Sequence, residues 1–253
     1  MEPLLPPPGT TRGKGGRPEK HPRRLILDAI FYLVRGGIAW ARNCPVRPPH
    51  QTVYGIFGRW AKAGAWQRVH DALRDLVRVH AGRDPLPTAA IVDSQTVRGA
   101  DTVPATSAGY DAGKKTKGRK RHIAVDTLGL IWAVVVHGAY WQDQDGACFV
   151  LQKLRNLGRL QVVFADSAYS RNGLAEWVKE FFGWVLQTVL RPVKAKGFVV
   201  LPKRWIVERT FAWLVRYRRH SRDYERNPAT SEAMIRISMI ALMSRRIARQ
   251  NSI

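Results

Sequence analysis

TAAIVDSQTV, residues 88–97, sets an apolar run directly before an aspartate, Asp93. Aliphatic residues bounded upstream by the turn-forming RDPLP, 83–87, read as a buried strand. A carboxylate beside such a strand is costly unless something pairs with it. The construction recurs in LQVVFADSAY, residues 160–169, where Asp166 follows VVFA. Between the two, KRHIAVDT, 120–127, and LIWAVVVHG, 130–138, form a hairpin across TLG, and QDGACFVLQKLRN, 144–156, reads as a helix. GLAEWVKEFF, 173–182, is another helix, and GWVLQTVL, 183–190, is another strand. Strands mixed with helices, and a hairpin before the first helix of the region, indicate an α/β domain with a mixed sheet.

RWIVERTFAWLVRYRRHSR, residues 204–222, supplies a third carboxylate, Glu208, alone among cations. At about 100° per helical residue, Arg204, Arg209, Arg216, Arg219 and His220 share an arc with Glu208. Ile206, Val207, Phe211, Trp213, Leu214 and Tyr217 fall on the other arc, with Arg218 the one intruder. A lone anion inside a cationic face is either a solvated surface charge or part of a site that holds something strongly negative through a metal. Two aspartates at strand ends plus Glu208 are what a hard cation requires, and magnesium takes such oxygen ligands while leaving room for phosphate and water. Two such ions stabilise both attacking and leaving oxygens in phosphodiester displacement.

Upstream, RRLILDAIFYLV, 23–34, HQTVYGIFGRWAKAG, 50–64, and WQRVHDALRDLVRVHAG, 66–82, read as three helices closed by glycines. They suit either a helix-turn-helix-like DNA-binding module or an ordinary helical bundle. Residues 1–21 are rich in Pro, Gly and basic residues and read as a flexible arm. Their Gly-Arg-Pro core resembles a minor-groove arm, although a plain linker fits as well. The expected organisation is a basic arm, 1–21; a helical DNA-binding domain, 22–82; a catalytic domain, 88–227; and a C-terminal helix, 228–253.

In 253 residues, 42 Lys and Arg face 19 Asp and Glu, a net +23 spread along the chain, which calls for a polyanionic partner. GKKTKGRKR, 113–121, offers Lys114, Lys115, Lys117, Arg119, Lys120 and Arg121 to a DNA backbone, against the alternative of a solvated turn. Two cysteines, Cys44 and Cys148, without a CxxC partner exclude a zinc ribbon and suggest a reducing compartment. With no signal peptide and no apolar run long enough to span a bilayer, a cytoplasmic, nucleoid-associated protein is expected. Asp126 reads as a hairpin-turn residue, and Asp143 or Asp145 as a helix N-cap. His122 and His137 lack zinc spacing, and no P-loop, GxGxxG, HExxH or serine triad is present.

AAIVDSQTVRGA, GYDAGKKTKGRKRHIAVDTLGL, QDQDGA, VVFADSAY and RWIVERTFAWLVRYRRHSRDYER, in that order, resemble a bacterial insertion-sequence transposase of the IS-five family, of the DDE superfamily. RGGIAW, TVYGIFGRW and GAW resemble the same family's leading domain, so the likeness covers residues 17–227. It implies an RNase H-like catalytic core, with Asp93, Asp166 and Glu208 as the catalytic, metal-holding carboxylates. It also implies two magnesium ions, replaceable by manganese, and double-stranded DNA partners: terminal inverted repeats and a target, bound by a homodimer. The activity implied is cleavage at the element ends and joining of the 3′-OH ends to target DNA, with Arg204, Arg209 and Arg216 on flanking phosphates. RGGIAWARNCP and His50 depart from the family's leading domain, and Val215 stands where a sister family has a Lys, so no hairpin excision route is inferred. A DNA-binding protein with a dead site, an RNA-binding protein and a nuclease without strand transfer are the rival readings.

Overall fold

The structure is a computed structural model, which describes residues 2–8, 18–42, 48–170, 173–189 and 202–250. Gly16 and Arg17 of the Gly-Arg-Pro core, and Cys44, lie outside these residues. Three helices come first: α1 (Arg23–Gly36), α2 (His50–Lys62) and α3 (Ala65–His80). α1 buries Ile26, Ala29, Ile30 and Leu33 as its periodicity demands, while Leu25 is exposed. It stops at Gly37, whose φ of 67° is a left-handed cap that costs glycine little.

The second part is α/β. β1 (Ala89–Arg98), a short β2 (Gly109–Asp111), β3 (Thr116–Val125) and β4 (Ile131–Gly138) precede α4 (Asp143–Gln152). β5 (Val162–Asp166), α5 (Leu174–Phe182), β6 (Val185–Val189), α6 (Arg204–Val215) and α7 (Pro228–Gln250) follow. The strands form one mixed sheet in the order β4-β3-β1-β5-β6, with β2 continuing the β4 side of β3. β1 runs antiparallel to β3 and parallel to β5, and β5 parallel to β6. This curled mixed sheet is the arrangement of an RNase H-like core.

Strand alternation assigns the two faces. Ala90, Val92, Val163 and Ala165 pack under α4 and α5 with Val150, Leu151 and Val178. Ile91, Ile123, Val125 and Val134 pack on the opposite side against Val207, Phe211 and Leu214 of α6 and Met239 and Met243 of α7. Asp93 and Asp166 therefore share the α6 side, while Ser94 turns to the α4 side. No described helix is long and apolar enough to cross a membrane.

RDPLP marks a change of secondary structure and not a break in packing. The core of α1, α2 and α3 continues into Tyr217 and into Ala233, Met234, Ile237 and Ile240 of α7. Arg78 of α3 reaches the buried Asp126 at 2.5 Å and also donates to the Asp84 carbonyl, inside RDPLP, at 2.8 Å. Asp126 is thus more than a turn residue: it accepts from the Leu128 and Leu130 amides and from the Trp132 indole.

Candidate active site

β1 and β5 are paired in parallel through Ile91 and Phe164, so two residues further on each strand Asp93 and Asp166 stand side by side. α6 lies across this face because Ile206, Val207, Thr210, Phe211 and Leu214 are its buried stripe. That packing leaves Arg204 and Glu208, one turn apart, toward the aspartates. A single guanidinium nitrogen of Arg204 lies 4.0 Å from Asp93, 3.6 Å from Asp166 and 3.6 Å from Glu208. Glu208 is the most open of the four, with 45% of its side chain exposed, against 16% for Asp93.

Burial, and then the neighbouring Asp166 charge, push Asp93 up to about 6 against the opposing pull of the Ser94 amide, Arg204 and Lys114. The Ser94 amide donates to Asp93 at 2.7 Å, in the middle of β1 and not at the strand end that the sequence suggested, and the Ala168 amide donates to Asp166 at 2.8 Å, at the end of β5. Among the described residues no three carboxylate, imidazole or thiol groups are drawn closely enough to enclose one ion. The three carboxylates are instead gathered around a guanidinium, a stand-in cation. One positive charge against three negative ones leaves a deficit that a divalent ion would match, and the donors are all hard oxygens. The residues present fit a hard divalent cation.

The α4 side adds a layer that the N-cap reading of Asp143 missed. The N-cap is Gln142, and Asp143, in the first turn, accepts from the Ser94 hydroxyl at 2.7 Å and pairs with Lys120 at 2.9 Å. Burial alone would raise Asp143, but Ser94 and Lys120 outweigh it and hold the group low. Tyr169 is buried beneath the same carboxylates; burial first, then Asp93, Asp143 and Asp166, keep its phenol protonated. His122, held down to about 3 by burial and by His137, stacks on that ring at 5.0 Å as a neutral packing element. The available signal for this layer was the alternation of β1, which sends Ser94 opposite to Asp93.

Not every cation stays available to DNA. Lys114 and Lys115 lie on the exposed turn before β3, and Lys117 is exposed on the strand. Arg119, Lys120 and Arg121 require correction: β3 is a central strand and all three are buried. Arg119 donates to the Glu225 carbonyl at 2.7 Å and pairs with Asp223 at 3.3 Å. Lys120 donates to the Trp141 carbonyl at 2.8 Å, and Arg121 to the His220 carbonyl at 3.1 Å. They are structural cations, with no free donors facing solvent for a phosphate. The α6 wheel is corrected as well, because the helix ends at Val215. Arg219 turns inward to Glu225 at 2.7 Å and His220 to Ser238 at 2.7 Å. Arg209 stacks on Trp205 and Trp213 at 4.5 and 4.8 Å, and Arg216 is exposed past the helix end, so neither joins the carboxylates.

Residues 84–243 match the family described as "Transposase DDE domain". The chain belongs to the DDE transposases. Residues 1–70 match a second family, "Putative transposase of IS4/5 family", so an IS4/IS5-type transposase accounts for both parts of the chain. The "Insertion element IS402 uncharacterized 16.2 kDa protein" of Burkholderia cepacia is 31% identical over 101 residues, 39% of this transposase and 67% of that protein. DDE transposase domains in general use divalent metal ions and act on DNA, in keeping with the all-oxygen donor set around Arg204.

Proposed function

We propose that this transposase binds the terminal inverted repeats of its own insertion sequence, cleaves at the element ends and joins the 3′-OH ends to target DNA. The observation that supports this most is the convergence of Asp93, Asp166 and Glu208 on the Arg204 guanidinium. These carboxylates would hold two magnesium ions, with manganese able to substitute. The chemistry supplied there when bound is activation of a water or 3′-OH and stabilisation of the leaving 3′ oxygen. Arg204 then exchanges its carboxylate partners for a phosphate oxygen, a geometry that its planar fork favours. Asp143 and Ser94 keep the Asp93 segment of β1 fixed from behind, and the neutral Tyr169 adds no charge against the incoming phosphate. Lys114, Lys115, Lys117, Arg209 and Arg216 neutralise flanking phosphates, and α1–α3 choose the end sequence. A homodimer on DNA would bring two ends together.

Asp93→Asn, Asp166→Asn and Glu208→Gln should each lower cleavage of an element-end duplex by about a thousandfold or more. Duplex binding should be kept or strengthened, since each change removes a negative charge near phosphate. Cleavage at the wild-type rate in any of the three would take that residue out of the site. A strand-transfer assay with a pre-cleaved end separates a transposase from a nuclease that only cuts.

A further inference from the structure

A cavity of about 400 Å³ opens where α1, the end of α6 and α7 meet, on the far side of Trp213 from Arg204 in sequence. Arg35, Arg216, Arg245, Arg246 and Arg249 line it, and no acidic side chain does. Among the described residues none of the five makes an ion pair with a carboxylate. Three of the five, Arg35, Arg245 and Arg246, are nonetheless held in place. Arg35 donates to the Arg216 carbonyl at 3.0 Å and sits 5.3 Å over the Tyr217 ring. Arg245 donates to the Tyr217 hydroxyl at 2.7 Å, and Arg246 lies 4.6 Å over Trp213. Burial, and then the Arg209 charge, pull Arg246 below the usual arginine range, with Asp126 opposing. Like charges set together around one cavity, without a counter-anion, are the construction of an anion site.

We infer that this cavity holds backbone phosphates of the DNA strand that runs along α6 away from the carboxylates. The inference rests on the reading given under Proposed function. Two observations favour the DNA backbone as the ligand. Guanidinium forks match phosphate oxygens in pairs. The cavity is also joined to the carboxylates by one rigid element: Arg216 lies eight residues beyond Glu208, roughly 12 Å at the helical rise. With the duplex axis lying along α6, the rise of about 3.4 Å per nucleotide of one strand places the held phosphates roughly three or four nucleotides from the scissile position. Arg35 comes from α1 and Arg249 from α7, so the site exists only where the helical part and the catalytic part are packed together.

The test uses the full chain, without divalent metal so that no cleavage intervenes, and a duplex carrying an element end. Arg216 and Arg249 are exposed, so Arg216→Gln with Arg249→Gln should fold; Arg245→Gln with Arg249→Gln is the second variant, and thermal melts check both. Each pair should weaken duplex binding about tenfold or more and reduce the slope of log K against log salt by roughly 0.9 for each phosphate left without its cation. Ethylation of phosphates three or four nucleotides from the cleavage position should interfere with wild-type binding and not with that of the variants. A folded variant with unchanged affinity, slope and interference pattern overturns the inference and leaves the proposed function standing. Wild-type binding with no salt dependence would instead remove the proposed function and this site with it. Inorganic phosphate is the remaining probe: stabilisation of the wild type by it, with the variants' DNA slope unchanged, assigns the cavity to a small free anion and overturns the DNA reading.

Discussion

Asp93 carries a cost in the metal-free protein that its partners only partly relieve. Its folded carboxyl titrates at about 6 because of burial and Asp166, against an aspartate's ordinary 3.8. Between about pH 4 and 6 the native state therefore keeps a proton that the unfolded chain has released, and stability falls as pH rises through that window. Above it the loss is complete and the curve is flat. Asp93→Asn should remove this dependence, which melts across the window would read. Arg204→Gln takes the guanidinium from among three anions, so the variant should melt lower above pH 6 without metal and gain more from added magnesium than the wild type does. Equal gains in both proteins would mean that Arg204 does not occupy the cation's place. Asp93 and Asp166 were legible in the sequence because a carboxylate after an apolar run has few structural excuses. Arg119, Lys120 and Arg121 were not, because what satisfies each buried cation lies on other elements: Asp223 and the Glu225 carbonyl for Arg119, the His220 carbonyl for Arg121, and Asp143 with the Trp141 carbonyl for Lys120.

Apolar patterning located α1 to α6 and the longer strands, since apolar spacing reports which face each element buries. It overran α6 by several residues. An arc of charges on a wheel says nothing about where the backbone leaves the helix, and here Arg219 and His220 leave it to satisfy Glu225 and Ser238. The three-residue β2 carries no pattern of its own and exists because β3 offers it an edge. The cap of α1 is an exacting joint between elements, because the close approach there coincides with a left-handed backbone. Gly37 is left-handed, and a Cβ there would lie 2.7 Å from the Arg218 side chain and 2.8 Å from its backbone. Gly37→Ala should cost about 1–3 kcal/mol in strain alone, more with the clash, and chemical denaturation should show it as a lower midpoint with an unchanged m-value. Loss of stability should come with weaker end binding, because the turn following α6 is displaced along with α1.

At the scale of the whole molecule, the two parts read from composition are packed around a shared helix. α7 gives Ala233, Met234, Ile237 and Ile240 to the helical core and Met239 and Met243 to the sheet. The 83–87 break was visible in sequence, whereas this sharing was not, since which helix a distant apolar stripe covers is a matter of tertiary contact. Asp126→Asn leaves Arg78 as a buried, unpaired charge, and a loss of about 3–5 kcal/mol is expected. Ile237→Ala should cost about 2–5 kcal/mol, and both variants should still melt in one transition, with helical and sheet probes coincident. Two separate transitions would mean that the parts are independent after all. The shared helix also sets a schedule for synthesis. While the ribosome is still making residues 204–227, α1, α2 and α3 have no cover for one side of their core, and the sheet lacks part of its own. Messages cut short before residue 228 should therefore yield no stable fragment able to occupy the element ends and block intact copies; they should yield substrate for proteases.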